Sequence, residues 1–162
     1  MSKVSQLVRP GERIPIAESV FLAGPTPRDM STLSWRPAFI EGLLRRRPTL
    51  TIFSPEGEKW RDNYDDQVRW EWEALSAASL VLFWIPRDLL RMPALTTNVE
   101  FGMVLERGWP CIAGWPVDAP KNKYLAWHAK RRNIPVHPDP ETLMDATAAW
   151  FGDLSGWRPG SP

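Results

Sequence analysis

The sequence predicts an α/β domain, a doubly wound parallel sheet of about five strands with helices on both faces. Three observations carry this. Short apolar runs alternate with segments of helical period between residues 18 and 152. Gly-Pro or Pro closes several of the runs, marking the exit from a strand into a loop. One run, "LVLFWIP" (80–86), contains no polar residue, as expected of a central strand buried on both faces.

In chain order, residues 1–17 read as an irregular leader, and "SVFLAG" (19–24) is a first strand ended by Gly24-Pro25. "LSWRPAFIEGLLRRR" (33–47) carries Trp35, Phe39, Leu43 and Leu44 at helical spacing. "LTIFSP" (50–55) is a second strand, and "EGEKWRDNYDD" (56–66) is a polar loop longer than most in α/β units. "QVRWEWEALSAAS" (67–79) is a helix with Val68, Trp72 and Leu75 on one stripe, and the strand 80–86 follows. "ALTTNVEFGMVLERG" (94–108) holds a helix expected over roughly 98–107. "PCIAGW" (110–115) is a fourth strand, "APKNKYLAWHAKRRN" (119–133) a helix and "IPVH" (134–137) a short strand. The last helix, "DPETLMDATAAWF" (139–151), begins with Asp139 as a cap and Pro140 at its first position. Residues 18–152 thus form a single domain and 153–162 a tail. This is the flavodoxin-like pattern, in which ligands sit beyond the C-terminal strand ends at the switch in strand order. The loops at 24–33, 54–66 and 85–100 are therefore the candidate site.

Composition narrows the function. The 162 residues are 43% apolar and 24% charged with a formal net charge of +1, so no basic excess is present to grip a nucleic-acid backbone. "RRRP" (45–48) and "KRR" (130–132) lie near expected helix C-termini, where they complement the dipole. The N-terminus lacks a signal-peptide core and no apolar run approaches the ~20 residues of a membrane span, so the cytoplasm is the expected location. The single cysteine, Cys111, has no acid or base beside it, and the two histidines, His128 and His137, fall in late elements. Neither nucleotide-phosphate Gly-rich fingerprint occurs, and the ligands of a structural metal site are missing.

Carboxylates remain. Thr97 and Glu100 match a capping box, in which the carboxylate folds back on the helix terminus. Yet Glu100 also follows the most apolar strand, where ligands bind, and a helix N-terminus there favours the ionised form that a glycosidic nucleophile needs. Glu71, in "WEWEAL", reads either as a second site carboxylate or as part of a solvated face with Glu73. Two carboxylates in one crevice suffice for cleavage of an N-glycosidic bond through an oxocarbenium-like state, with no metal or organic cofactor. Arg28 and Arg87 occupy loops at the same sheet end and could contact a hydroxyl or a 5′-phosphate; ordinary surface charge is the competing reading. Trp60 and Trp70 could stack a base or pack in the core.

"VFLAGPTPR" (20–28), "SWR" (34–36), "FSPE" (53–56), "QVRWEWEAL" (67–75), "LVLFWIPR" (80–87), "TTNVEFG" (96–102) and "GWPCIAGWPVDAP" (108–120) occur in this order. Together they resemble the nucleoside 2-deoxyribosyltransferase family, in its bacterial 2-deoxyribosyltransferase-like branch, over about residues 19–150. The resemblance implies a flavodoxin-like fold and double displacement on a nucleoside or nucleotide, with a free nucleobase or water as acceptor. It implies Glu100 as the nucleophile forming a glycosyl ester, Glu71 as the group handling the base's proton, and Gly24 and Pro25 lining the sugar site. It also implies a homo-oligomer. Many members hold the sugar hydroxyl with an aspartate shortly before the nucleophile; here Ala94 stands in that region, with Asp88, Thr97 or Asn98 as substitutes. Two other readings stay open: a nucleoside 5′-monophosphate N-glycoside hydrolase, and a non-catalytic nucleotide-binding module of the same fold.

Overall fold

The computed structural model describes residues 6–57 and 63–152. Among these residues six parallel strands form one sheet: β1 (Leu7–Val8), β2 (Ser19–Ala23), β3 (Thr51–Phe53), β4 (Leu80–Trp84), β5 (Cys111–Gly114) and β6 (Val136–His137). Their order is β1-β3-β2-β4-β5-β6. Without β1 this is the flavodoxin order, with its switch point between β2 and β4. Among the described residues, α1 (Arg36–Arg46), α2 (Tyr64–Ala77), α3 (Leu95–Arg107) and α4 (Lys123–Arg131) connect successive strands from β2 to β6, and α5 (Pro140–Gly152) follows the last strand.

Alternation along each strand builds two cores. Val20 and Leu22 of β2, with Leu80, Leu82 and Trp84 of β4, pack against Phe39 and Leu43 of α1 and against Leu143, Met144 and Phe151 of α5. Phe21, Ala23, Val81 and Phe83 point the other way, onto Trp70 and Leu75 of α2, Phe101 and Val104 of α3, and Leu125 of α4. Every residue of β2 and β4 is buried, which explains the unbroken apolar runs.

Two expectations are corrected. The leader is not irregular throughout: Leu7 and Val8 pair with Ile52 and Phe53 and add an edge strand. In addition, α3 begins three residues earlier than its apolar period suggests. Its N-cap is Ala94, in the left-handed region at φ 59°, with no side-chain cap bond. Thr97 therefore lies inside the first turn and no capping box forms. The Asp139 cap does form, its Oδ1 accepting from the Thr142 amide at 2.8 Å. Among the described residues, no helix is long and apolar enough to cross a membrane.

Candidate active site

The loop leaving β2 is built by close approach. A Cβ on Gly24 (φ 153°) would lie 2.1 Å from the Trp84 carbonyl oxygen and 2.7 Å from the Trp35 ring, so only glycine lets β2 end against β4. The following turn is pinned by Trp35, whose indole N–H donates to the Pro25 carbonyl at 2.9 Å. Arg36 secures it from beneath. This guanidinium is buried and donates to the carbonyls of Leu22 (3.1 Å) and Gly24 (2.6 Å), to Thr26 Oγ1 (3.0 Å) and to Glu56 Oε1 (2.7 Å). Glu56, two residues past the Ser54 that follows β3, also accepts from Ser34 Oγ at 2.8 Å.

These groups wall a cleft of about 660 Å³ at the C-terminal ends of the strands, the size of a small-molecule site. Gly24, Pro25, Arg28 and Thr97 line it, as do both candidate carboxylates, Glu71 from α2 and Glu100 from α3. Thus six of the residues singled out by sequence come together. Arg36, Glu56, Ser34, Gln67 and Tyr64 also line it and were not anticipated as site residues, although "SWR" and "FSPE" stand among the quoted motifs.

The remaining candidates lie elsewhere. Trp70 is buried in the core under α2, its indole N–H on the Glu12 carbonyl at 3.0 Å; it offers no face to the cleft. Arg87 does not line the cleft either. It is buried and spends its donors on Asn122 Oδ1 (2.9 Å), the Pro93 carbonyl (2.6 Å) and Asn98 Oδ1 (2.6 Å), tying the β4–α3 loop to the start of α3 and to the residue before α4. Asn98 is consumed by that clamp. Asp88 closes a turn by accepting from the amides of Leu90 and Arg91 at 2.9 and 3.0 Å. Trp60 lies outside the described residues. Cys111 sits in β5 with its thiol pushed up to about 12 by burial, the reverse of an activated nucleophile. His128 packs between Tyr124 and Trp127 on α4, and His137 belongs to β6. Among the described residues, no three His, Cys, Asp or Glu side chains gather as metal ligands.

Glu100 lies in the second turn of α3, not the first, so the helix terminus does not set its charge state. Burial pushes its carboxyl up to about 8, and the negative charge of Glu71 adds to this; Arg36 acts in the opposite direction. Glu71 is raised too, by burial, while a hydrogen bond from Gln67 Nε2 at 2.9 Å and the charge of Arg36 pull it down. The expectation that Glu100 rests ionised is therefore corrected. The two carboxyls form an interacting pair that holds a proton at neutral pH. Such a pair can supply one carboxylate and one carboxylic acid to the same reaction.

A model of the family described as nucleoside 2-deoxyribosyltransferase like matches residues 17–114, the stretch that contains Gly24, Arg36, Glu56, Glu71 and Glu100. Among solved structures, a conserved protein from Enterococcus faecalis V583 is similar with a TM-score of 0.50 at 12% identity, over 80% of this chain and 87% of that one, a likeness of fold. No curated protein matches. The matched stretch is more than half of the chain and spans the whole of the cleft's carboxylate set, and the chain belongs to the nucleoside 2-deoxyribosyltransferase-like family.

Proposed function

We propose that the protein transfers the sugar of a (deoxy)nucleoside by double displacement through a glycosyl ester on Glu100. The observation that carries this reading is the Glu71–Glu100 pair in one cleft, both carboxyls raised, with no hydrogen bond to Glu100 from any described residue. An unbonded side-chain oxygen facing a cavity is available to a sugar carbon. A carboxylate folded into a capping box is not.

The step balances as follows. With the shared proton on Glu71, a Glu100 oxygen forms a bond to C1′ while the C1′–N bond breaks. The electron pair of that bond stays on the base nitrogen, and Glu71 delivers its proton to the departing base. In the second half a nitrogen of another base, or water, attacks C1′, Glu100 leaves as carboxylate and Glu71 takes the proton back. Arg36 lowers the proton affinity of both carboxyls, which supports the ionised Glu100 that the first step requires. Tyr64, at the start of α2 and on the cleft wall, presents an exposed ring for the base.

A nucleoside fits this cleft better than its 5′-monophosphate. Glu56, Glu71 and Glu100 face it, Arg36 is committed to internal partners, and Arg87 is absent from its lining; among the described residues Arg28 is the lining cation left for a phosphate. A homo-oligomer is part of the proposal.

A panel of nucleosides and 5′-nucleotides incubated with free bases and separated by chromatography tests the reading. Base exchange on nucleosides is expected, and Glu100→Ala is expected to cut it by about a thousandfold or more while leaving the fold intact. Turnover near the wild-type rate in that variant would remove Glu100 as nucleophile. Base release that needs no acceptor and occurs only on 5′-nucleotides would replace transfer by hydrolysis.

A further inference from the structure

The third glutamate of the cleft, Glu56, has no part in the chemistry above, yet it is the most firmly held of the three glutamates. Its Oε1 receives Arg36 Nη1 at 2.7 Å and Ser34 Oγ at 2.8 Å. Arg36 is in turn fixed by the carbonyls of Leu22 and Gly24 and by Thr26, so the carboxylate is anchored to the backbone of the β2 loop at one remove. Its other oxygen, Oε2, accepts nothing among the described residues, and the side chain is 23% exposed, on the cleft wall.

An ion-paired carboxylate with one oxygen committed and the other open to a cavity is an oriented acceptor lacking a donor. Neutralising the buried Arg36 accounts for Oε1, but it leaves Oε2 without a partner. A neutral donor suits the open oxygen better than an anion, which the carboxylate would repel. It also suits it better than a cation, since Arg36 already balances the charge. The hydroxyl groups of a furanose are such donors.

We infer that Glu56 is a specificity-determining residue whose open oxygen accepts a hydrogen bond from one ring or exocyclic hydroxyl of the bound sugar, with Arg36 and Ser34 as its positioning residues. The inference rests on the N-glycoside reading for the identity of the ligand. It predicts that the protein distinguishes nucleosides by a hydroxyl remote from the reacting carbon.

The test is titration calorimetry on Glu100→Gln and on the double variant Glu100→Gln/Glu56→Gln, so that binding is read without turnover. The probes are 2′-deoxyadenosine, 2′,3′-dideoxyadenosine and 2′,5′-dideoxyadenosine, with the corresponding cytosine set. Glutamine keeps the shape and can still accept from Ser34 and Arg36, but it presents a donor where the open oxygen was. Loss of one hydroxyl is expected to weaken binding to the Glu56 protein roughly 10- to 100-fold, the range for a hydrogen bond to a charged group. In the double variant that same loss should matter by less than about threefold. A structural role for Glu56 would lower affinity for all probes alike, and that result overturns the inference; so does the absence of any hydroxyl coupled to Glu56. Should Glu56→Gln lower the melting temperature severely, the discrimination by the Glu56 protein alone decides, and no preference among the probes overturns the inference. Wild-type turnover separates the two proposals. Coupling without base exchange would leave Glu56 as the hydroxyl reader and remove the reaction. Base exchange without coupling would do the reverse, and no binding of any probe overturns both.

Discussion

At the scale of single residues the decisive one is Glu100. Its carboxyl is pushed up to about 8 from an ordinary value of 4.5, chiefly by burial and then by Glu71. The sign for stability follows from proton counts. Between those two values the unfolded chain has released the proton that the folded chain still binds, so stability falls as pH rises across the window. Below it both states are protonated and nothing is lost. Glu100→Gln removes the dependence. Denaturant melts at pH 5 and pH 8.5 are expected to show the variant gaining on wild type by on the order of 4 kcal/mol at the higher pH, with little difference at the lower. Parallel curves for the two proteins would mean that the carboxyl is solvated. Position 100 itself was legible in the sequence because a carboxylate beside the most apolar strand stands at the expected ligand crevice. Its environment was not. The helix start is set by Ala94 in a left-handed conformation, which costs about 1 kcal/mol for a residue with a Cβ and leaves no trace in propensity or period.

At the scale of elements, the β2–α1 connection carries the site. Its Gly24-Pro25 turn was readable, since Gly-Pro after an apolar run is a strand exit. The clamp beneath it was not readable. Arg36 opens α1, where a cation opposes the helix dipole, and its partners are 10 to 20 residues away in sequence, beyond any local pattern. Arg87 shows the converse. It reads as a surface cation at the right sheet end, but the Asn122 and Asn98 amides and the Pro93 carbonyl that consume it come together only in three dimensions. Replacing Arg36 by Met removes the partner of Glu56 and the donors to the Leu22 and Gly24 carbonyls. Breaking a buried pair from one side costs about 3–5 kcal/mol. For a chain of this size a melting temperature lower by roughly 10 °C is expected. A shift under about 2 °C would show that the loop does not depend on the clamp.

At the scale of the whole molecule, the parallel sheet with helices on both faces was recoverable because two-sided burial writes itself as unbroken apolar runs and connecting helices force parallel pairing. The edge strand β1 escaped because two residues, Leu7 and Val8, are too few to show a period; they are revealed by the bonds from the Ile52 and Ser54 amides to the Gln6 and Val8 carbonyls. What remains exposed bears on assembly. Met30, Leu33 and Leu95 line the cleft and are 99%, 90% and 66% exposed, and Leu90 and Val99 add exposed apolar side chains from the β4–α3 loop and α3. Met30, Leu33 and Leu95 thus put exposed apolar side chains on the wall of a polar site, and a second copy seated there would bury them and exclude solvent from the Glu71–Glu100 pair. A symmetric pairing would place the same patch on both partners. Sedimentation velocity at micromolar concentration is expected to give a dimer or a higher multiple of the protomer. Leu95→Lys puts a charge into that patch and should shift the distribution toward monomer, with base exchange falling in proportion. A wild-type protein that sediments as a monomer at every concentration, with full activity, would show that one copy closes the cleft by itself.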